Sequence, residues 1–137
     1  MKFSIPLGLF LFLQATAIHA ALECREAWLR EPPPNASVLA GYAKLINTGT
    51  SPLIINAINV AHFERAEIHR TEISGGMTRM VSVEHLTIAP DTPAVLEPGG
   101  MHLMLFHPRR TLRAGEKSTW YFTTNQGPQR CTAMIEK

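Results

Sequence analysis

Short apolar runs, each cut off by proline, glycine or a cluster of small polar residues, recur from Leu22 to the C-terminus. This punctuation constrains the fold more than any other feature, because it leaves no stretch long enough for an amphipathic helix. The runs predict strands at Leu22 to Leu29, Ala40 to Asn47, Leu53 to Val60, Ala66 to Glu72, Thr78 to Val83, Ala94 to Leu96, His102 to Phe106, Trp120 to Thr124 and Arg130 to Ile135. A single helical turn is expected at Ala61 to Arg65. The breaks have turn chemistry: Glu31-Pro32-Pro33-Pro34-Asn35 cannot continue a ladder, Asn47 to Pro52 is a polar turn cluster, Ser74-Gly75-Gly76 reads as a tight hairpin, and Pro98-Gly99-Gly100 ends another strand. With many strands and almost no helix, two apolar faces must cover each other. The expected class is all-β, a Greek-key β-sandwich or barrel of the immunoglobulin or cupredoxin kind.

The chain has 137 residues, the size of one domain. Residues 1–20 read as a secretory signal, with Lys2 as its positive region, Phe3 to Leu13 as its apolar region, and small residues after them. Cleavage could follow Ala17 or Ala20, the later being preferred, which leaves residues 21–137 as a single exported domain. Charged residues, asparagine or proline interrupt every later apolar run, so no membrane span is expected in the mature chain. The full sequence carries a formal charge of +2, which gives no electrostatic case for nucleic acid. Cys24 and Cys131 stand near the two ends of the exported part, where an oxidising compartment favours a disulfide between terminal strands.

Methionine is distributed unevenly. Of the six in the chain, Met77, Met80, Met101 and Met104 crowd between residues 77 and 104, interleaved with His69 and His102. Thioether sulfur together with imidazole suits copper(I) better than zinc, magnesium or calcium. Strand parity sharpens the set. Ala66 and Ile68 take the core face of their strand, leaving Glu67, His69 and Thr71 on the other; Val81 and Val83 point in, leaving Met80 and Ser82 out; Leu103 and Leu105 point in, leaving His102 and Met104 out. If Gly75-Gly76 form the turn, Met80 lies opposite Thr71 and diagonal to His69; if Ser74-Gly75 do, it lies opposite His69. Either register keeps both residues on one face. Met101 shares parity with Leu103 and is expected to pack; for Met77, at the turn, the readings are a structural methionine, which is preferred, or a spare or transient ligand.

The runs Glu67-Ile68-His69-Arg70-Thr71-Glu72, Gly76-Met77-Thr78-Arg79-Met80 and Leu96-Glu97-Pro98-Gly99-Gly100-Met101-His102-Leu103-Met104-Leu105 resemble the periplasmic copper chaperone family called PCuAC. Its signature is a His, ten residues, a Met, twenty-one residues, then His-x-Met, and His69, Met80, His102 and Met104 match it without a gap. The likeness extends to Trp28, the Pro32-Pro33-Pro34 turn, Gly41-Tyr42, Asn47 and the Leu112 to Glu116 turn. It implies a cupredoxin-like fold, a periplasmic location and one Cu(I) per monomer. It also implies delivery of that copper to a copper-accepting protein, namely the dinuclear centre of cytochrome c oxidase subunit II or a Sco-type protein. The His- and Met-rich tail of some members is missing, since Gln126 to Lys137 offers only Met134, so no tail site is expected.

An enzyme is not expected. Glu67, Glu72 and Glu84 stand near no activated serine or cysteine, and no glycine-rich phosphate cradle opens a helix. Blue-copper chemistry needs a cysteine in the ligand set, and neither cysteine lies near His102. His62, His85 and His107 are assigned to loops and left outside the site. The competing readings are a metal-independent interaction module and a thiol oxidoreductase using Cys24 and Cys131.

Overall fold

In the computed structural model, which describes Met1 and residues 21–137, the described chain is built of β-strands and turns. The signal-peptide reading of residues 1–20 lies outside the described residues. The strands are β1 (Leu22–Arg30), β2 (Val38–Asn47), β3 (Leu53–Val60), β4 (Phe63–Ser74), β5 (Met77–Ser82), β6 (Leu86–Ile88), β7 (Ala94–Leu96), β8 (His102–Pro108), β9 (Lys117–Thr124) and β10 (Gly127–Glu136). Hydrogen bonding runs along one path, β5-β4-β8-β2-β1-β10-β9-β3-β6, with β7 attached to β2. Non-sequential neighbours such as β4 with β8 and β9 with β3 make this an all-β fold with crossovers of the Greek-key kind. β1 and β10 pair in parallel, and the other pairs are antiparallel.

The path curls so that its inner face closes on one core. Leu103 and Leu105 of β8 are fully buried, flanked in the ladder by Ile68 and Ala66 of β4 on one side and by Gly41 and Leu39 of β2 on the other. Trp120 of β9, also fully buried, packs over Gly41 beside Leu103. Its ring lies so near Gly41 that a Cβ there would sit 3.1 Å from Cζ2, and its indole nitrogen donates to the Ser118 hydroxyl at 3.2 Å. The missing side chain at position 41 is therefore what admits the largest residue of the core against β8.

Two local expectations change. Ala61-His62 is a tight turn with His62 in the left-handed region, and Phe63 to Arg65 already belong to β4, so no helical turn forms. The apolar Phe63 is worth more buried as the first core residue of β4 than left in a surface turn. Strand β6 has no counterpart in the sequence reading. It is held from a distance, by pairing with β3 and by the Asn47 amide donating to the Ile88 carbonyl at 2.9 Å and to that of Ser51 at 2.7 Å.

Cys24 and Cys131 form a disulfide between β1 and β10, with Cα atoms 5.8 Å apart. The bond closes the ends of the domain onto each other, and Cys131 is buried. Replacing both cysteines with serine is expected to lower the unfolding free energy by about 4–5 kcal/mol, the chain-entropy value for a loop of this length. Urea unfolding of the two proteins measures it, and an unchanged midpoint would contradict a structural role.

Candidate metal centre

The ladders β5-β4-β8 set which side chains share a surface. His69 of β4 pairs with His102 of β8 on one side and with Ser82 of β5 on the other; Glu67 pairs with Met104, and Thr71 with Met80. Paired residues of adjacent strands project to the same face, so His69, Met80, His102 and Met104 all lie on the outer face of this three-stranded section. The hairpin register is the one in which Gly75 and Gly76 are the turn residues, since Ser74 pairs with Met77. Both glycines have positive φ, +60° and +77°, which fits a two-residue turn of the I′ kind.

The four residues differ sharply in environment. His102 is buried, at 6% exposure, despite its outward parity. Its Nδ1 lies 3.1 Å from the carbonyl oxygen of Gly100, so Nδ1–H donates there and Nε2 is the nitrogen left for other work. His69 is nearly as enclosed, with its ring centroid 6.2 Å from that of His102. Met104 is half-buried. Met80 is 57% exposed on the edge strand β5. The site is thus closed at the histidines and open at Met80, so a shared outward parity does not make the four side chains equally exposed.

Beyond His69 the hairpin outruns the core. Positions 70 and 72 keep the parity of buried Ile68, yet no opposite layer of the described residues buries them, and they carry charge. Arg70 donates to Glu72 at 2.7 Å, and Arg79 stands 3.5 Å from the other oxygen of that carboxylate. The Arg70 hydrogen bond holds Glu72 below the ordinary carboxylate range. Ile73 and Met77 at the tip are exposed. Met77 pairs with Ser74, which places it on the face opposite His69, and it packs against nothing in the core, so its expected structural role is not met. Met101 does pack against the core as expected.

Sequence parity placed Glu67 beside His69 but gave it no role. Its Oε2 lies 2.6 Å from His69 Nε2, and its Oε1 lies 2.8 Å from Arg65 Nε. The Arg65 guanidinium stacks over the Phe106 ring at 4.1 Å. The other ring nitrogen, His69 Nδ1, is buried with no hydrogen-bond partner among the described residues. Leaving such an atom unsatisfied costs on the order of 1–3 kcal/mol, and a metal ion is the kind of partner that removes the cost. An unpaired Nδ1, a free His102 Nε2 and two thioethers on one face make a donor set that fits a soft monovalent ion.

The LpqE-like family model matches residues 22–134. The uncharacterized protein RP573 of Rickettsia prowazekii (strain Madrid E) is 31% identical over 113 residues, 77% of this chain; the chain spans 62% of that relative's length. Among solved structures, the apo PCuAC domain of PmoF1 superposes with a TM-score of 0.68 at 24% identity, covering 85% of this chain and 94% of the domain. The solution structure of CuI-DR1885 from Deinococcus radiodurans gives 0.66 at 27% identity, covering 85% and 80%.

The exposure gradient predicts an order of chemical reactivity. Mild peroxide treatment of the metal-free protein should convert Met77 and Met80 to sulfoxides before Met104 and Met101, as followed by peptide mass spectrometry. Oxidation of Met104 at the rate of Met80 would mean that the face is uniformly open.

Proposed function

The chain belongs to the LpqE-like family and has the fold of PCuAC domains, and from that premise we propose that it is an exported copper chaperone. It holds one Cu(I) on His69, Met80, His102 and Met104 and gives it up by ligand exchange in the periplasm to a copper-accepting protein, such as cytochrome c oxidase subunit II or a Sco-type protein. The copper is cargo, and nothing is turned over. The observation that carries this reading is the strand register, which gathers two imidazoles and two thioethers onto one outer face while both cysteines are withheld in a disulfide.

Neutral nitrogen and thioether donors favour the monovalent ion, need no deprotonation and do not form disulfides. The ladder also supplies an order of events. His69 and His102 sit directly opposite each other, and Met104 lies two residues along β8. Met80 and Met104 occupy opposite diagonals of His69, each about 7–8 Å away at the backbone, so Met80 must swing its flexible side chain inward to join a shared ion. A recipient's ligand approaching from solvent meets Met80 first. Its displacement opens the coordination sphere while the histidines still hold the ion.

Anaerobic Cu(I) titration against a competing chelator is expected to show one tightly bound equivalent in the wild type. His102→Ala should weaken it by about a hundredfold, and Met80→Leu by roughly tenfold, on a scale where 1.4 kcal/mol is one decade. Unchanged affinity in both variants would sink the ligand assignment.

A further inference from the structure

We propose that Glu67 is a positioning residue for the copper site, fixing the tautomer of His69 so that Nδ1 faces the ion while His102 offers Nε2. This deepens the chaperone reading and rests on it. A carboxylate accepts hydrogen bonds and cannot donate when ionised, so the 2.6 Å contact between Glu67 Oε2 and His69 Nε2 requires the ring proton to be on Nε2. The neutral imidazole then carries its lone pair on Nδ1, the atom that is buried without a partner among the described residues. At His102 the bond to the Gly100 carbonyl puts the proton on Nδ1 and the lone pair on Nε2. The two histidines, directly opposed in the ladder, therefore present different nitrogens.

Glu67 is itself held in place. Its second oxygen is bound by Arg65 Nε at 2.8 Å, and Arg65 is fixed by stacking on Phe106, whose ring centroid is 6.5 Å from that of His69. The chain Phe106, Arg65, Glu67, His69 runs along the outer face of β8 and β4. An oriented histidine loses less freedom when it takes up a metal, which is how a partner of the other ring nitrogen raises affinity.

Nitrogen-15 NMR of the metal-free wild type, with long-range proton correlations, reads the tautomers. A pyridine-like Nδ1 at His69 and a pyridine-like Nε2 at His102 are expected. In the Cu(I)-loaded protein, which is diamagnetic, the shift on metal binding should fall on the same two atoms. Glu67→Ala should lose the single His69 tautomer and weaken Cu(I) by about 10- to 100-fold in chelator competition. Glu67→Gln keeps an acceptor oxygen and should restore the tautomer and most of the affinity. A protonated Nδ1 at His69 in the wild type, or a Glu67→Ala protein with wild-type tautomer and affinity, overturns the proposal. Absence of Cu(I) binding by the wild type would instead overturn the chaperone reading, with the apo tautomers still read separately.

Discussion

Burial of Leu103 and Leu105 in the core, with Trp120 packed over Gly41 beside Leu103, decides which way β8 faces, and the rest of the site follows from that packing. Side chains along a strand alternate, so fixing two leucines inward leaves His102 and Met104 no choice but the outer face. A one-residue slip would exchange the sets, placing an imidazole and a thioether in the core and two leucines in the surface layer, and both changes are unfavourable. The same inner row engages Ile68 in β4 and Gly41 in β2. Registering β4 on β8 through that row is what brings His69 directly opposite His102. The outer chemistry is thus specified by the inner hydrocarbon.

The site then grades from rigid to loose across three strands. β8 is sandwiched between β4 and β2, β4 is shared with the hairpin, and β5 is paired on one side only. Along that sequence the donors pass from buried His102 to exposed Met80. A carrier needs both ends of this gradient: a fixed pair of nitrogens to select and retain the ion, and an accessible ligand through which it can be removed. A site buried throughout would release copper only with a structural opening, and one exposed throughout would lose to solvent the hydrogen bonds that His69 makes to Glu67 and His102 to Gly100.

Most of this was legible in the sequence because it depends on local rules. Parity around Ile68, Val81, Leu103 and Leu105 gave the shared face, and the glycines at 75 and 76 allowed only two hairpin registers, of which the one with both in the turn is adopted. What was not legible depends on distant partners. Leu86 to Ile88 is too short to show a strand period and is ordered by β3 and by the side chain of Asn47, far away in sequence. Phe63 was read as part of a helical turn because its pull toward the core is a tertiary effect. The burial of His102 against an outward parity, and the grip of Glu67 on His69, are facts of packing and rotamer that alternation cannot supply. The pairing of Glu67 with His69 two residues apart on one strand face was nevertheless visible, and it was the available signal for an orienting carboxylate.

A carrier built as proposed, from neutral donors, also has a charge to balance. Two imidazoles and two thioethers, as proposed, would leave a monovalent cation uncompensated, and the carboxylate bound to the His69 ring is Glu67. That carboxylate is already shared with Arg65, so its field at the ion is partly cancelled. Full compensation would deepen the well and slow release, while a bare arginine in that position would repel the cargo. The Glu67–Arg65 pair lies between these limits, and it does so beside the histidine rather than in the coordination sphere. On the proposed reading, retention and release would be set by different groups: the nitrogens would choose the ion, the neighbouring ion pair would temper how strongly it is held, and the exposed thioether on the edge strand would give an incoming partner its point of attack.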